Sequence, residues 1–597
     1  MDRNQAIGMV LISAMIFVYF FFFASPPSDT KEKEPKKIEI SKNKENKQQQ
    51  IPTDSKAYEP EFLSGKSQDF VLENENLKIT FNTKGGKIKQ VLLKGYQTYD
   101  KKPLLLLDES FSQMSYILPT KQGKIDLYGI FYEGTLKANT LILKAKANGK
   151  EVEQSYTLLP NSFELDYKIK VNGFELSKEE ATLLWNADMP RTEKDATPSR
   201  IKSTIAYYAQ EDGYDYLSES GEKQEETIAE PLQWVAFRQQ FFIASIFATE
   251  KNTFTKAALK TTANEKDQDV VKSYEAKLST NSDNLQKGQS TFKFYLGPNK
   301  YDILKKFDND FSRNVGLGWG IFGWVNKFLV IPILDVLKNL GSYGLIIIVL
   351  VIILRLILFP LSYKSYLGMA KMKVLKPEID EIKVRTGGDM QKMQQEQMEL
   401  FRQVGINPLA SMVPMLLQMP ILIAMFQYFP NAIELRQESL FWADDLSTYD
   451  SILNLPFNIP FYGSHVSLFT ILMTASTIVY TWFSNQNSTA EASMKVVGYV
   501  MPLVFMFMLN SYPAGLSYYY FISNISSILQ QIGIKRFVNE EKIKAILEKN
   551  KVKNKDKKKS GFQQRLEEAL KAQQEKLETK QKELQKKQQN NNKNLKK

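Results

Sequence analysis

Long apolar segments recur along the chain and predict helices that cross a membrane. The first, residues 7–24, has 18 uncharged residues, which just suffice to cross a hydrocarbon core of roughly 30 Å at about 1.5 Å per residue. A cleaved signal peptide is the alternative, but "FFFASPPS" is a poor small-x-small cleavage site, which favours a retained anchor over residues 1–24. Five further segments complete six predicted spans: residues 343–361, 409–429, 466–483, 492–510 and 514–534.

Between the first two spans the pattern changes to alternation of apolar and polar residues. In "FELDYKIKV", residues 163–171, every second side chain is apolar, as expected for one face of a strand. Asn148-Gly149 and Gly85-Gly86 lie between such runs and predict hairpin turns, because both accept positive φ. We predict an antiparallel β-sandwich domain over residues 59–300, after a charged linker over residues 25–58 that we expect to be disordered.

Residues 301–342, between the β domain and the second span, predict a helical segment that lies in the membrane interface. The stretch "GLGWGIFGWVNKFLVIPILDVLKNLG" is aromatic and apolar. It is interrupted by Lys327, Asp335 and Lys338, which favours an interfacial helix over a seventh span.

Residues 362–408 predict a helical hairpin whose two arms are separated by "TGGD". Apolar residues recur at helical spacing in both arms, including Met369 and Met372 in the first and Met390 and Met393 in the second. These stripes either hold the two arms together or offer flexible, polarisable methionine side chains to apolar clients.

The charge distribution predicts the orientation of the chain. Residues 362–408 hold 8 Lys and Arg, whereas residues 430–465 hold only Arg436. The positive-inside rule therefore places the hairpin and both termini in the cytoplasm and the β domain outside. Residues 535–597 hold 21 Lys and Arg against 9 Asp and Glu, which accounts for the whole net charge of +12. This basic tail is either a solvated appendage or a segment that binds ribosomal RNA or anionic lipid in a salt-dependent way.

Several kinds of chemistry are excluded by the residues that the chain lacks. It has no cysteine, so disulfides and thiolate metal sites are excluded. The single histidine, His465, has no carboxylate neighbour that would suggest a triad or a zinc site, and we interpret it as a surface residue. The sequence also contains no P-loop, no metal cluster and no nucleophile–base pair.

Arg355 lies inside the second predicted span, in "IIIVLVIILRLILFPL". It precedes Lys364 by nine residues, about 13 Å along a helix axis, and therefore lies near the middle of the hydrocarbon core. Burying a charge there costs roughly 3 to 10 kcal/mol, so such residues usually face a cavity or a partner. Because the other predicted spans contain no Asp or Glu, we expect water or a bound client to compensate the charge.

The last predicted span carries polar side chains in two neighbouring rows. One row is Tyr519, Ser523, Ser527 and Gln530; the other is Tyr520, Asn524, Ser527 and Gln531. Gln418 adds an amide to the third span. Such residues either join helices through hydrogen bonds in lipid or line a hydrated groove, and the unpaired arginine favours the groove.

Four stretches of the sequence are similar to those of a known family. They are "YKSYLGMAKMKVLKPEIDEIK", "FRQVGINPLASMVPMLLQMPILIAMFQYF", "ELRQESLFWADDLS" and "SYPAGLSYYYFISNISSILQQ". Over residues 322–536 the chain resembles the YidC membrane protein insertases of the wider Oxa superfamily. The segment with "FNTKGGKIKQVLL" looks like the periplasmic domain of the Gram-negative members.

The resemblance implies a polytopic α-helical membrane protein. A five-helix insertase core over residues 343–534 would contain a hydrophilic groove that is open to the cytoplasm and to lipid but closed to the periplasm. Arg355 matches the groove arginine of the family, and the groove wall would include Gln418, Met419 and Pro420 with Tyr519 or Tyr520. Ser523, from the polar row described above, joins this set.

The resemblance also implies a protein that is not an enzyme and has no cofactor or metal, at the bacterial inner membrane. Its partners would be nascent membrane proteins and the Sec translocon. The charge of the basic tail adds the ribosome and anionic lipids as expected partners. Two other functions stay open. A small-anion transporter would use Arg355 as its binding charge, although the sequence shows no internal repeat of the kind common in transporters. A structural scaffold would hold other membrane complexes together.

Overall fold

A computed structural model describes residues 58–249, 252–387, 389–406, 413–486 and 492–553. The predicted anchor, all but the last residue of the predicted linker, and residues 554–597 of the basic tail lie outside the described residues. The described chain forms two compact units. The first comprises residues 58–355, 418–480 and 496–526; the second comprises residues 356–417, 481–495 and 527–553, with the gaps just given.

The β domain belongs to the first unit, and all its strand pairs are antiparallel. Its strands form sheets of four, nine and six strands, and β20 and β21 form a separate two-stranded sheet. The strands are β1 Asp69–Glu73, β2 Leu77–Asn82, β3 Lys87–Gln97, β4 Pro103–Asp108, β5 Ser112–Thr120, β6 Gly123–Asp126, β7 Glu133–Lys137, β8 Thr140–Ala147, β9 Lys150–Leu158, β10 Glu164–Asn172, β11 Ala181–Pro190, β12 Thr204–Ala209, β13 Gly213–Tyr216, β14 Lys223–Ile228, β15 Leu232–Arg238, β16 Phe242–Ala248, β17 Lys256–Thr262, β18 Val270–Thr280, β19 Ser290–Pro298, β20 Leu453–Ile459 and β21 Gly463–Val466.

The α-helices are short in and beside the β domain and long after residue 342. They are α1 Ala196–Ile201, α2 Ser282–Lys287, α3 Tyr301–Leu304, α4 Gly320–Val325, α5 Ile331–Leu337, α6 Tyr343–Val374, α7 Lys376–Arg385, α8 Met390–Val404, α9 Val413–Tyr428, α10 Leu468–Asn485, α11 Ala492–Leu509, α12 Ala514–Phe537 and α13 Glu540–Lys553. A π-helical turn, Asn326–Val330, joins α4 to α5.

The alternating segments form the predicted strands, and both predicted hairpins are confirmed. In β10 the side chains of Leu165, Tyr167, Ile169 and Val171 are buried, and those between them are not. Asn148 and Gly149 connect β8 to β9 with φ of 45° and 77°, the positive values that a two-residue turn requires. Gly85 and Gly86 similarly close the connection between β2 and β3 with positive φ.

The nine-stranded and six-stranded sheets share one hydrophobic core. Trp185 of β11 lies 4.3 Å from the ring of Phe237 of β15 and 6.2 Å from that of Phe294 of β19, measured between ring centroids. The inward faces of the two sheets therefore pack on each other, as in a sandwich. The four-stranded sheet joins the same core, since Phe81 of β2 lies 4.6 Å from Tyr156 of β9.

Helices α9–α12 begin and end within four residues of the predicted spans, whereas α6 begins at the predicted residue and continues 13 residues beyond residue 361. By length and composition, two helical stretches of the described chain suffice to cross a membrane: Gly320–Leu340 and Tyr343–Val374. The predicted count of six spans is thus not confirmed. The first of the two stretches is the one that the sequence assigned to the interface, and that assignment stays a prediction.

The helical hairpin over residues 362–408 differs from the prediction in its first arm. That arm is not one helix: α6 continues to Val374, and α7 begins at Lys376 with Pro377 in its first turn, a position that proline tolerates because the first amide groups of a helix need no partner. Met369 and Met372 therefore lie on the end of α6. The break near residue 387 and the second arm, α8, agree with the prediction.

Candidate functional site

Arg355 on α6 is half-buried and has a protein partner. Its Nη2 donates to the Ser523 hydroxyl at 2.7 Å and to the Ser523 carbonyl at 3.1 Å. Its Nε and Nη1 donate to no acceptor among the described residues. Within the described chain Arg355 forms no ion pair, and none of the helices α6 and α9–α12 contains Asp or Glu. The cation thus keeps its charge unneutralised and several donors open.

Ser523 was placed in the site by its polar row, but its contact with Arg355 was not predicted. From the sequence we expected water or a client to compensate the charge. In the structure, one guanidinium nitrogen donates hydrogen bonds to Ser523 of α12. Hydrogen bonds to a charged group contribute about 1.5–3 kcal/mol. Ser523 therefore fixes the orientation of the guanidinium and leaves its formal charge unchanged.

The second polar row of α12 joins neighbouring helices. The Asn524 amide donates to the hydroxyls of Thr477 at 2.8 Å and Ser476 at 3.0 Å on α10. The Tyr520 hydroxyl donates to the Leu422 carbonyl of α9 at 2.9 Å. These contacts join α12 to α9 and α10, as one of the two alternatives from the sequence expected. The second row of α12 therefore joins helices, whereas Ser523 of the first row contacts Arg355.

Tyr519 differs from Tyr520 in the environment of its hydroxyl. The Tyr519 ring packs on Phe429, with centroids 5.6 Å apart, and the side chain lies within electrostatic range of Arg355. No hydrogen bond joins its hydroxyl to a described residue, and the side chain as a whole is buried. Gln418, Met419 and Pro420 are half-buried on α9, and no described contact joins them to Arg355. The structure thus brings together Arg355, Ser523 and Tyr519.

A buried polar cluster joins the start of α10, the end of α11 and the start of α12, next to the hairpin of β20 and β21. Asp450 accepts hydrogen bonds from the Ser467 hydroxyl, the Trp442 indole and the Leu468 backbone amide, and so caps the start of α10. Asn510 follows α11 and accepts from the Ser467 amide at 3.0 Å. Sequence reasoning missed this cluster, because its members are far apart in the chain.

The interpretation of His465 as a surface residue is wrong. Its side chain is buried, its Nε2 lies 2.9 Å from the Asn510 carbonyl, and its ring stacks on Tyr449 with centroids 3.7 Å apart. The neighbours that bury it come from a loop and from the end of α11, which the local sequence around residue 465 does not reveal.

A buried ion pair connects the loop after α9 to the β domain. Arg436 Nε lies 2.9 Å from both carboxylate oxygens of Glu193, and Arg436 Nη2 donates to the Gln97 carbonyl at 2.6 Å. Burial raises the pKa of Glu193, and the guanidinium of Arg436 opposes that rise. Nearby, the Gln240 amide donates to the Pro430 carbonyl at 2.8 Å. The loop that follows α9 is thereby fixed to the sandwich.

The methionines of the hairpin are partly engaged within it. Met372 and Met393 pack against a core that includes Leu375, Leu400 and Val404. Met369 is half-buried, and the side chain of Met390 lies outside the described residues. The interpretation that the stripes hold the arms together is therefore supported for Met372 and Met393.

Comparison with known proteins places these features in a family. The chain is 44% identical over 591 residues to the membrane protein insertase YidC of Amoebophilus asiaticus, covering 96% of this chain and 99% of the relative. The chain belongs to the YidC family of membrane protein insertases. The insertase YidC of Cytophaga hutchinsonii is 43% identical over 609 residues, with 96% of this chain and 98% of the relative covered.

Two family models match successive parts of the chain. The YidC periplasmic domain matches residues 70–332, and the 60Kd inner membrane protein family matches residues 336–542. A crystal structure of an active YidC insertase with its first transmembrane domain resolved is 18% identical, with a TM-score of 0.31, and covers 80% of this chain and 95% of that chain. The family places this YidC protein in the bacterial inner membrane, with its β domain in the periplasm, as an insertase and not an enzyme.

Proposed function

We propose that the protein inserts integral membrane proteins through a hydrophilic groove in which Arg355 holds the translocated end of the client. The observation that carries this proposal is the state of Arg355: one guanidinium nitrogen is bonded to Ser523, the other nitrogens lack described acceptors, and no carboxylate lies on the five helices. An acidic residue of a client could accept hydrogen bonds from these remaining nitrogens and pair with the charge. The groove wall consists of Gln418, Met419, Pro420, Tyr519, Tyr520 and Ser523.

Partition into lipid drives the proposed insertion. Burying an apolar segment contributes about 25 cal/mol per Å², so a segment long enough to span gains far more than the transfer of one short polar end costs. The groove lowers the barrier for that end, because Arg355 attracts acidic side chains and accessible polar groups spare them full desolvation.

The topology and partners belong to the same proposal. The chain crosses the inner membrane six times, with both termini in the cytoplasm, and acts alone or with the Sec translocon on nascent membrane proteins. The hairpin receives clients first, through the exposed parts of Met369, Met372 and Met393 together with Met390. The basic tail contacts the ribosome or anionic lipid, since its excess of lysine favours polyanions.

Substitution of Arg355 tests the electrostatic proposal. Arg355→Ala should reduce insertion of clients with an acidic translocated end and spare clients with a neutral one, measured in proteoliposomes by protease protection. Arg355→Lys, which keeps the charge, should retain most insertion of both clients. Equal loss for both client types with Arg355→Ala would show that the residue acts in helix packing instead.

A further inference from the structure

The hairpin of β20 and β21 exposes apolar side chains that nothing in the described chain covers. Residues 451–467, "SILNLPFNIPFYGSHVS", contain no Asp, Glu, Lys or Arg. Ile452, Leu453, Phe457 and Phe461 are all exposed, Phe461 by 91%. An uncharged exposed apolar hairpin is unfavourable in water and indicates an interaction surface. This sheet has only two strands, so it belongs to neither large sheet of the β domain.

The turn of this hairpin holds Phe461 outward at a conformational cost. The Tyr462 amide donates to the Ile459 carbonyl at 3.0 Å, which defines a turn with Pro460 and Phe461 in its centre. Phe461 has φ of 65°, at the position where a turn with this geometry normally has glycine or asparagine. A bulky aromatic residue at positive φ is uncommon, and such outliers concentrate where a side chain has a function.

The turn and the second strand of the hairpin are fixed to α11. Asn510, at the end of α11, donates to the carbonyls of Tyr462 and His465, both at 2.8 Å. The Tyr462 ring contacts Phe507 of α11 edge to face, with centroids 5.3 Å apart. These contacts prevent the hairpin from folding back to bury its apolar side chains elsewhere.

The exposed surface of the hairpin continues an exposed apolar stripe on α11. Val496, Val500, Leu503, Val504 and Phe507 are exposed on α11, and their spacing of three or four residues places them on one helix face. In a membrane span this face contacts lipid. Phe507, its last member, touches Tyr462, which follows Phe461 in the turn.

We propose that the hairpin of β20 and β21 inserts Phe457 and Phe461 into the headgroup and acyl-chain boundary of the periplasmic leaflet. Lipid is the occupant that the surface fits, because the surface is uncharged, carries aromatic side chains as membrane interfaces favour, and continues a lipid-facing stripe. The inference rests on the proposed role of α11 as a membrane span. It gives the insertase a fixed interfacial anchor beside α10 and α11.

Depth measurement with spin labels tests this inference. The chain has no cysteine, so full-length Phe461→Cys carries a single nitroxide label in proteoliposomes. We expect its accessibility to oxygen, relative to a water-soluble nickel chelate, to exceed several-fold that of Asp212→Cys, an exposed turn position of the β domain. Labelled Val500→Cys on α11 should lie deeper than both.

Each other outcome has a defined meaning. If Phe461 is as accessible to the nickel chelate as Asp212 while Val500 lies deep, the hairpin is in water and the inference is wrong, although α11 spans. If Phe461 is shielded from oxygen and chelate alike, protein covers it, either a second copy of the chain or residues 1–57, which also overturns the lipid assignment. If Val500 is itself in water, the proposed topology fails.

Discussion

At the residue scale, the guanidinium of Arg355 on α6 is held by one described partner, Ser523 of α12, through its hydroxyl and its carbonyl. An arginine without an acidic residue in any predicted span identifies an uncompensated cation from composition alone. Which side chain faces Arg355 depends on how α6 and α12 rotate against each other, and helical spacing within α12 does not fix that rotation. The structure therefore adds Ser523 as the acceptor, and no described carboxylate neutralises the charge.

The pair of Arg436 and Glu193 was missed for a similar reason. The two residues are separated by 243 positions, and each resembles an ordinary surface charge in its local sequence. Only the docking of the loop after α9 on the β domain buries both. Buried ion pairs of this kind are not strongly stabilising overall, but removing one partner leaves an unpaired charge in a place without water.

Glu193→Ala should destabilise the protein by about 3–5 kcal/mol, because it leaves the Arg436 guanidinium buried and unpaired. Urea unfolding in detergent measures this change. Glu434→Ala is the matched control, because Glu434 lies on the same loop as Arg436. Glu434 pairs with Lys300 at 3.5 Å, and both side chains are part-exposed. Loss of this pair should therefore cost about 0–1 kcal/mol. Equal effects of the two substitutions would mean that water reaches the ion pair of Glu193 and Arg436.

At the element scale, short-range patterns were sufficient for the strands and their turns. The alternation in β10 and the glycine-containing turn after β8 are local, and both are confirmed. The first arm of the hairpin was predicted less well, because a helical stripe of apolar residues does not show where one helix ends and the next begins. The proline at the start of α7 marks that boundary.

The helix α13 was interpreted as part of a charged tail, but it folds onto the hairpin. Ile543 and Leu547 enter the hairpin core, and the Asn550 amide donates to the Val404 carbonyl at 3.2 Å. Lys551 pairs with Glu378 at 2.7 Å. Two buried apolar residues among many charges give little amphipathic signal, so the docking could not be predicted from the sequence.

Leu547→Asp should release α13 from the hairpin, because it places a carboxylate in an apolar core. We expect faster amide hydrogen exchange in α8, measured by mass spectrometry on the full-length protein. Ile546→Asp introduces the same charge one residue earlier, at a half-exposed position, and should leave exchange in α8 nearly unchanged. Similar acceleration by both variants would contradict the docking of α13 through Leu547.

At the scale of the whole molecule, composition divided the chain correctly into a β domain and a helical region. The family models change over between residues 332 and 336, close to the end of the predicted interfacial segment at residue 342. The sequence could not predict that a loop and a hairpin from the helical region attach to the β domain and to the helix ends, because these contacts join residues far apart in the chain.

The folded position of α13 also changes how the basic tail is best tested. Residues 554–597 hold 14 Lys and Arg against 6 Asp and Glu, a net charge of +8, and they follow the last residue of α13. Truncation after residue 553 removes most of the excess charge and leaves the hairpin core intact. Truncation at residue 537 would remove α13 together with the charged residues, so loss of charge could not be separated from damage to the hairpin core.

We therefore expect truncation after residue 553 to abolish most of the salt-dependent co-sedimentation with ribosomes, because fewer cations then release counterions from RNA. The protein is held in nanodiscs of neutral lipid, so that anionic lipid cannot compete for the tail. Replacing Lys555, Lys557, Lys558 and Lys559 by Gln should weaken binding partly and reduce its dependence on salt. Unchanged co-sedimentation of the truncated protein at low salt would assign the ribosome contact to another surface, such as the hairpin.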